Sequence, residues 1–277
     1  MAGGDERGFL ADVSRETRVL DALLLAAVPV VLVGVAQLPA GTREQFVFER
    51  ESPTVLTAYT SYFVHLDSGH LLGNLAVYLV VAPVAYLLAA LSGRRQLFWS
   101  MWVTLLTAFP FALSVTQLSF PAQRTVLGFS GINAGFVGLL SFLLVGYAGA
   151  TLAAGINERD APVLLFVTTG LIALTTLPSR APRLEIAAAA IALGLVYVGA
   201  AVSRTGVPTI VRARAAVDRP GYVELAGASG GLLVGYPVVG FQRTVADGGV
   251  LDVYVHLLGY CLAFIVVFVF VLITDEL

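Results

Sequence analysis

Long apolar stretches dominate this sequence and limit what the chain can fold into. A helix that crosses the hydrocarbon core of a bilayer needs about 20 mainly apolar residues. Five stretches meet this requirement clearly: Val19–Gln37, Leu71–Leu91, Leu97–Leu118, Ile132–Leu152 and Val250–Ile273. Leu184–Val202 also qualifies, whereas the shorter Val163–Leu177 and the glycine-rich Tyr222–Phe241 are weaker candidates. The sequence therefore predicts an all-α, polytopic membrane helix bundle with six to eight spans.

The composition agrees with a lipid environment. Of the 277 residues, 58% are hydrophobic and 12% are charged, whereas a soluble domain carries about 25% charged residues. The net charge of −2 gives no basic field for nucleic acid, so no nucleic-acid partner is expected. The single cysteine, Cys261, excludes an intramolecular disulfide and a multi-cysteine metal cluster.

Side chains that can perform acid–base chemistry are few. All sixteen cationic side chains are arginines. The lack of lysine excludes Schiff-base chemistry, a Ser–Lys dyad and a Walker-type phosphate site. The chain has three histidines, His65, His70 and His256, so a mechanism that needs an imidazole must use one of them.

The distribution of arginines predicts the orientation in the membrane. If all eight stretches cross, ten arginines fall on the side of the N-terminus and six on the other side. Because cytoplasmic loops carry an excess of positive charge, we predict a multi-pass protein of the cell membrane with a cytoplasmic N-terminal segment, residues 1–18. Residues 19–277 then form the membrane domain. Four arginines in the loop Ser203–Pro220 are expected to contact anionic lipid headgroups.

Polar residues next to or inside apolar spans are costly, so each marks a candidate functional position. The first group of these residues lies between His65 and Asn74. His70 and Asn74 are four residues apart at the start of a helix and project from one face, where they form a patch of hydrogen-bond donors. In a purely structural interpretation, Asp67 or Ser68 caps the first turn and the histidines bind nearby carbonyl groups.

A second group, Gly128 to Gly138, places Ser130 at the start of an apolar helix. Its G-x-S-G pattern differs from the G-x-S-x-G nucleophile elbow of soluble hydrolases. Gly131, Gly135 and Gly138 allow another helix to approach to backbone contact. A tight packing face is therefore the structural alternative to a nucleophile site.

A third group lies in the stretch that follows residue 250. His256, Gly259 and Ala263 share one face of a helix, so a histidine is carried on a face that can pack closely against a neighbour. The glycine face of the serine helix is its natural partner.

Taken together, the three groups resemble the rhomboid family of intramembrane serine proteases. The matching residues, in order between Ala58 and Phe264, are His65, His70, Asn74, Gly128, Ser130, Gly131, Gly138, His256, Gly259 and Ala263. The resemblance implies a six-helix core. The region at about 184–241 is then expected to be an inserted helical pair.

The resemblance also implies a mechanism that needs no cofactor or metal. Ser130 would be the nucleophile and His256 its general base. His70, Asn74 and the backbone N–H of Ser130 would stabilise the oxyanion. The residues expected to support the site are His65, Gly128, Gly131 and Gly259. Substrates would be transmembrane segments of other proteins, cut near the outer membrane surface.

The sequence also departs from the family pattern. The tryptophan–arginine pair that is common in the first rhomboid loop is missing. Ala134 stands where many bacterial members have a tyrosine against the catalytic histidine. Asp252 precedes His256 by one helical turn; its expected role is a favourable charge at the helix start, and orientation of the imidazole is the other option.

Two different functions are compatible with parts of the pattern. A metal site built from the three histidines would leave the G-x-S-G pattern and Asn74 unexplained, and the chain has no H-E-x-x-H motif. The stronger alternative is a non-proteolytic rhomboid-like protein that binds or escorts membrane proteins. Such proteins typically lose the serine or the histidine, and this chain keeps both.

Overall fold

Helices make up most of the structure. A computed structural model describes residues 5–119, 125–152, 155–177, 182–206, 217–240 and 253–274. The helices in these residues are α1 (Asp5–Glu16), α2 (Val19–Ala36), α3 (Ala40–Glu44), α4 (Val55–Thr60), α5 (Ser68–Leu91), α6 (Arg95–Ser119), α7 (Ser130–Thr151), α8 (Pro162–Thr176), α9 (Arg183–Thr205), α10 (Tyr222–Val239) and α11 (Val253–Thr274). Two 3-10 turns (Ser61–Phe63 and Glu158–Asp160) and two short strands, β1 (Phe48–Glu49) and β2 (Thr125–Val126), complete the described elements. The predicted all-α fold is confirmed.

Seven helices in the described parts of the chain are long and apolar enough to cross a membrane. They are α2, α5, α6, α7, α9, α11 and α8 together with the 3-10 turn before it. This number lies within the predicted six to eight, and the polytopic helical bundle is confirmed. The glycine-rich stretch after Tyr222 forms α10 but is not among the seven.

The helix α7 occupies the centre of the bundle. Every residue from Gly131 to Val145 is buried. Five helices contact α7: α11, α6, α5, α10 and α8. Each of the five also contacts the next in this order, and α8 contacts α11, so they form a closed ring around α7. α2 packs on α5 and α9 packs on α8 from outside the ring. The two helices of the region 184–241, predicted to be an inserted helical pair, therefore take different positions: α10 belongs to the ring and α9 does not.

Charged side chains join the helices at one end of the bundle, which we call the arginine end. Asp21 at the start of α2 accepts a hydrogen bond from Arg95 at 2.7 Å and another from Tyr86. The Nε of Arg94 donates to Glu158 at 2.8 Å. Further bonds at this end run from Arg204 to Asp160, from Arg219 to the Thr151 carbonyl and from Tyr222 to Asp12. These contacts involve Arg94, Arg95, Arg204 and Arg219, four of the ten arginines assigned to the N-terminal side.

The opposite end of the bundle is built by the segment between α2 and α5. Strand β1 pairs antiparallel with β2, with Phe48 opposite Val126 and Glu49 opposite Thr125. Arg43, in α3, donates to the carbonyl of His65. This folded segment is thereby tied to the residues that lead into α7.

The start of α5 follows from a local cap. The Asp67 side chain accepts a hydrogen bond from the N–H of His70 at 2.8 Å, which is the arrangement expected of an N-cap residue. The cap fixes where the first turn of α5 begins and therefore where His70 and Asn74 project.

Candidate active site

Ser130 is the first residue of α7, at the end of the bundle that carries β1 and β2. Its side chain is half-buried. Two residues earlier, Gly128 has φ +97°, and a Cβ atom there would lie 2.7 Å from His70 Nε2. The backbone angle and the lack of space both require glycine. The Gly128 N–H donates to the Ser61 carbonyl at 3.0 Å, which holds this loop against the His70 ring.

The helices α7 and α11 touch through small residues, and no other pair of the described helices packs as extensively. A Cβ atom at Gly259 would lie 3.2 Å from the carbonyl carbon of Gly131 and 3.5 Å from the Cβ of Ala134. A Cβ atom at Gly138 would overlap the carbonyl group of Tyr260. We call these five residues the glycine seam. The contact expected between the two small-residue faces is therefore present.

His256 lies three residues before Gly259 on the same face of α11. Its side chain is 3% exposed. The neighbouring Val255 packs against the start of α7, since a Cβ atom at Gly131 would lie 2.7 Å from Val255 Cγ1. The His70 ring lies against Gly128, two residues before Ser130. The first turns of α11 and α5 thus both lie next to the start of α7.

Behind this place, Asn74 uses both amide hydrogens within the protein. Its Nδ2 lies 3.0 Å from His65 Nε2 and donates to the carbonyl of His70 at 3.2 Å. Asn74 is buried. Both hydrogens of the Asn74 amide therefore have partners within the protein, whereas the His70 ring is half-buried and more accessible.

His65 accepts hydrogen bonds and is not positioned as a base. The N–H of Phe129 donates to His65 Nε2 at 3.3 Å. A backbone N–H can only donate, so Nε2 is the acceptor and Nδ1 carries the proton. His65 therefore fixes the loop before Ser130, which agrees with a supporting role and leaves no ring nitrogen on this side for a metal ion. Among the described residues, no three His, Cys, Asp or Glu side chains are grouped as metal ligands.

Asn133 is a polar residue near Ser130 in the sequence, and its expected role is structural support within the bundle interior. It lies one turn into α7, is 1% exposed, and donates from Nδ2 to the backbone oxygen of Asn74 at 3.0 Å and to its Oδ1 at 3.1 Å. Its position inside the apolar stretch Ile132–Leu152 is the signal in the sequence, because buried amides in spans need partners. Asp252 lies outside the described residues.

The pKa of His65 provides a test of its burial. Burial, together with the charges of His70 and Arg43, lowers the pKa of His65 from 6.5 to about 4. Between these values the unfolded chain binds a proton here and the folded protein does not, so stability should fall as the pH falls from about 6.5 to 4. Thermal unfolding in detergent across this interval measures the loss.

The matched variant for this measurement is His65→Gln, whose amide oxygen can still accept from Asn74 and Phe129. We expect its unfolding temperature to depend less steeply on pH than that of the wild type between pH 6.5 and 4. Parallel profiles would show that His65 does not titrate in this way.

The fold brings the start of α7, the start of α5 and the first turn of α11 to one end of a polytopic membrane bundle. These elements carry Ser130, His70 and His256, and the bonded residues His65, Asn74 and Asn133 lie beside them. No family model, curated protein or solved structure matches the chain. Functional assignment therefore depends on the chemistry of these residues and on the resemblance in their spacing.

Proposed function

We propose that this protein is an intramembrane serine protease, with Ser130 as the nucleophile and His256 as the general base. The observation that carries the proposal is the backbone contact between Gly131 and Gly259. Ser130 directly precedes the first of these glycines, and His256 lies one turn before the second. A serine hydroxyl needs an adjacent base to be a good nucleophile, and an imidazole ring nitrogen can accept its proton.

Negative charge that develops on the carbonyl oxygen must be stabilised as Ser130 attacks. The first N–H groups of a helix have no partner within the helix, so the N–H of Ser130 is well placed as a donor. We assign the second donor to the His70 side chain, which lies over Gly128. One such donor is worth roughly 10²–10³ in rate. Asn74 then contributes by holding His65 and the His70 carbonyl.

The proposed substrates are transmembrane segments of other proteins. Ser130 lies at a helix end and is half-buried, which supports access for both a peptide bond and the water needed for hydrolysis. The arginine end lies at the other end of α7. If the arginine excess faces the cytoplasm, the N-terminus is cytoplasmic and cleavage takes place near the outer surface of the cell membrane.

A fluorophosphonate probe tests the proposal, because such probes react only with activated serines. We expect the detergent-solubilised wild type to be labelled once, on the peptide that contains Ser130, as located by mass spectrometry. Heat-unfolded protein is the control and should not react. A folded protein that remains unlabelled would favour a role in binding or escorting membrane proteins.

A further inference from the structure

The amide of Asn133 is buried in the centre of the bundle, where an unpaired polar group is costly. Its Nδ2 gives both hydrogens to a single residue, Asn74, one to the backbone oxygen and one to Oδ1. Such a double contact fixes the position of Asn74 on α5 and the direction in which its side chain points. Because Oδ1 of Asn74 accepts a hydrogen bond from Asn133, Nδ2 of Asn74 points away from Asn133.

On that other side the hydrogen bonds return to α7. Nδ2 of Asn74 contacts His65 and the carbonyl of His70, and His65 accepts the N–H of Phe129. Phe129 directly precedes Ser130. The hydrogen bonds therefore form a closed circuit. It begins at Asn133 in α7, passes through Asn74 and His65, and ends at Phe129, just before Ser130.

A closed circuit of this kind restricts motion at the point where it closes. The loop before Ser130 has a glycine at φ +97° and would be free to move the serine if its N–H groups were not held. The circuit holds Phe129, and the Ser61 carbonyl holds Gly128. A displacement of about 1 Å at a reacting group costs about 10²-fold in rate, so small movements here matter.

We infer that Asn133 is a positioning residue that acts through Asn74 and His65 to hold Ser130 and His70 in their reactive arrangement. The inference rests on the proposed protease function and adds to it a residue that touches neither substrate nor reacting atoms. It also makes Asn74 part of the same unit, so that the two asparagines act together.

The test replaces Asn133 by leucine, which keeps the number and branching of the side-chain heavy atoms and removes the donors. We expect the rate of fluorophosphonate labelling to fall by about 10–10²-fold. With an internally quenched transmembrane peptide, kcat should fall while KM stays unchanged, because binding does not use this residue. Ser229→Ala is the control: Ser229 is equally buried but bonds only to the Leu225 carbonyl of its own helix, and its rates should not change.

A double variant distinguishes positioning from general destabilisation. If Asn133 acts through Asn74, then Asn133→Leu in an Asn74→Ala background should slow labelling little beyond Asn74→Ala alone. Asn133→Ser, which keeps one donor, should be intermediate and provides a milder variant if the leucine variant does not fold. Independent, multiplicative losses, or an Asn133→Leu protein with wild-type kcat, would overturn the positioning role and leave the protease function intact. An unreactive wild type would overturn both.

Discussion

Replacing Ser130 by alanine should reduce turnover of a quenched transmembrane peptide in liposomes to the uncatalysed background. In this proposal Ser130 provides the hydroxyl that forms the acyl-enzyme. Neither His70 nor His256 has a hydroxyl that could replace it. His256→Ala should lower kcat by about 10²–10⁴-fold, the usual contribution of a positioned general base. Both variants should retain the helical content of the wild type, because neither side chain belongs to the glycine seam; His256→Ala should lower the unfolding temperature, since His256 is buried.

A matched serine on the same helix separates chemistry from packing. Ser141 is fully buried in α7, and its hydroxyl bonds to the Val137 carbonyl and lies 3.1 Å from the Tyr260 hydroxyl. Ser141→Ala should retain most of the turnover. If Ser130→Ala keeps activity comparable to Ser141→Ala, Ser130 is not the nucleophile. If only His256→Ala keeps full activity, the base lies elsewhere.

A valine at Gly259 should abolish activity although the residue takes no part in the chemistry. The new Cβ would meet the backbone of Gly131, which cannot rotate away as a side chain can. The helices α7 and α11 would have to separate, and His256 would move with α11. Because a shift of about 1 Å already costs about 10²-fold, the larger separation forced by a branched side chain should leave no measurable turnover.

The control for this substitution is Gly34→Val in α2. A Cβ at Gly34 meets no atom within 4 Å, so the same change of residue type in another candidate span should leave turnover unchanged. Cysteine crosslinking between the starts of α7 and α11 can show the separation directly. Full activity of Gly259→Val would mean that the seam does not set the distance between Ser130 and His256.

Much of the architecture is predictable because lipid imposes a simple rule on sequence. Every backbone polar group in the hydrocarbon must be paired, so apolar stretches of sufficient length become helices. The sequence therefore predicts the spans. It also predicts the contact between α7 and α11, because the small-residue face of each helix has few other faces against which it can pack closely. The cap at Asp67 follows from equally local chemistry.

Where two helices do not both carry a face of small residues, the sequence does not predict whether they pack against each other. The region 184–241 reads as one inserted pair, yet α10 enters the ring around α7 and α9 stays outside it. The choice depends on how the side chains fit together rather than on hydropathy. The same limit applies to Asn74: its spacing indicates a donor near Ser130, and only the three-dimensional structure gives Asn133 and His65 as its partners.

The ring of helices around α7 has a consequence for how the protein is made. During synthesis α7 enters the membrane after α5, which carries the Asn74 partner of Asn133, but long before α11. The glycine face of α7 therefore meets lipid first and gains its packing partner only when α11 arrives. For the proposed protease, this order means that Ser130 and His256 come together only at a late step of insertion. A partly synthesised chain that holds Ser130 without His256 would then be unable to cleave the membrane proteins around it.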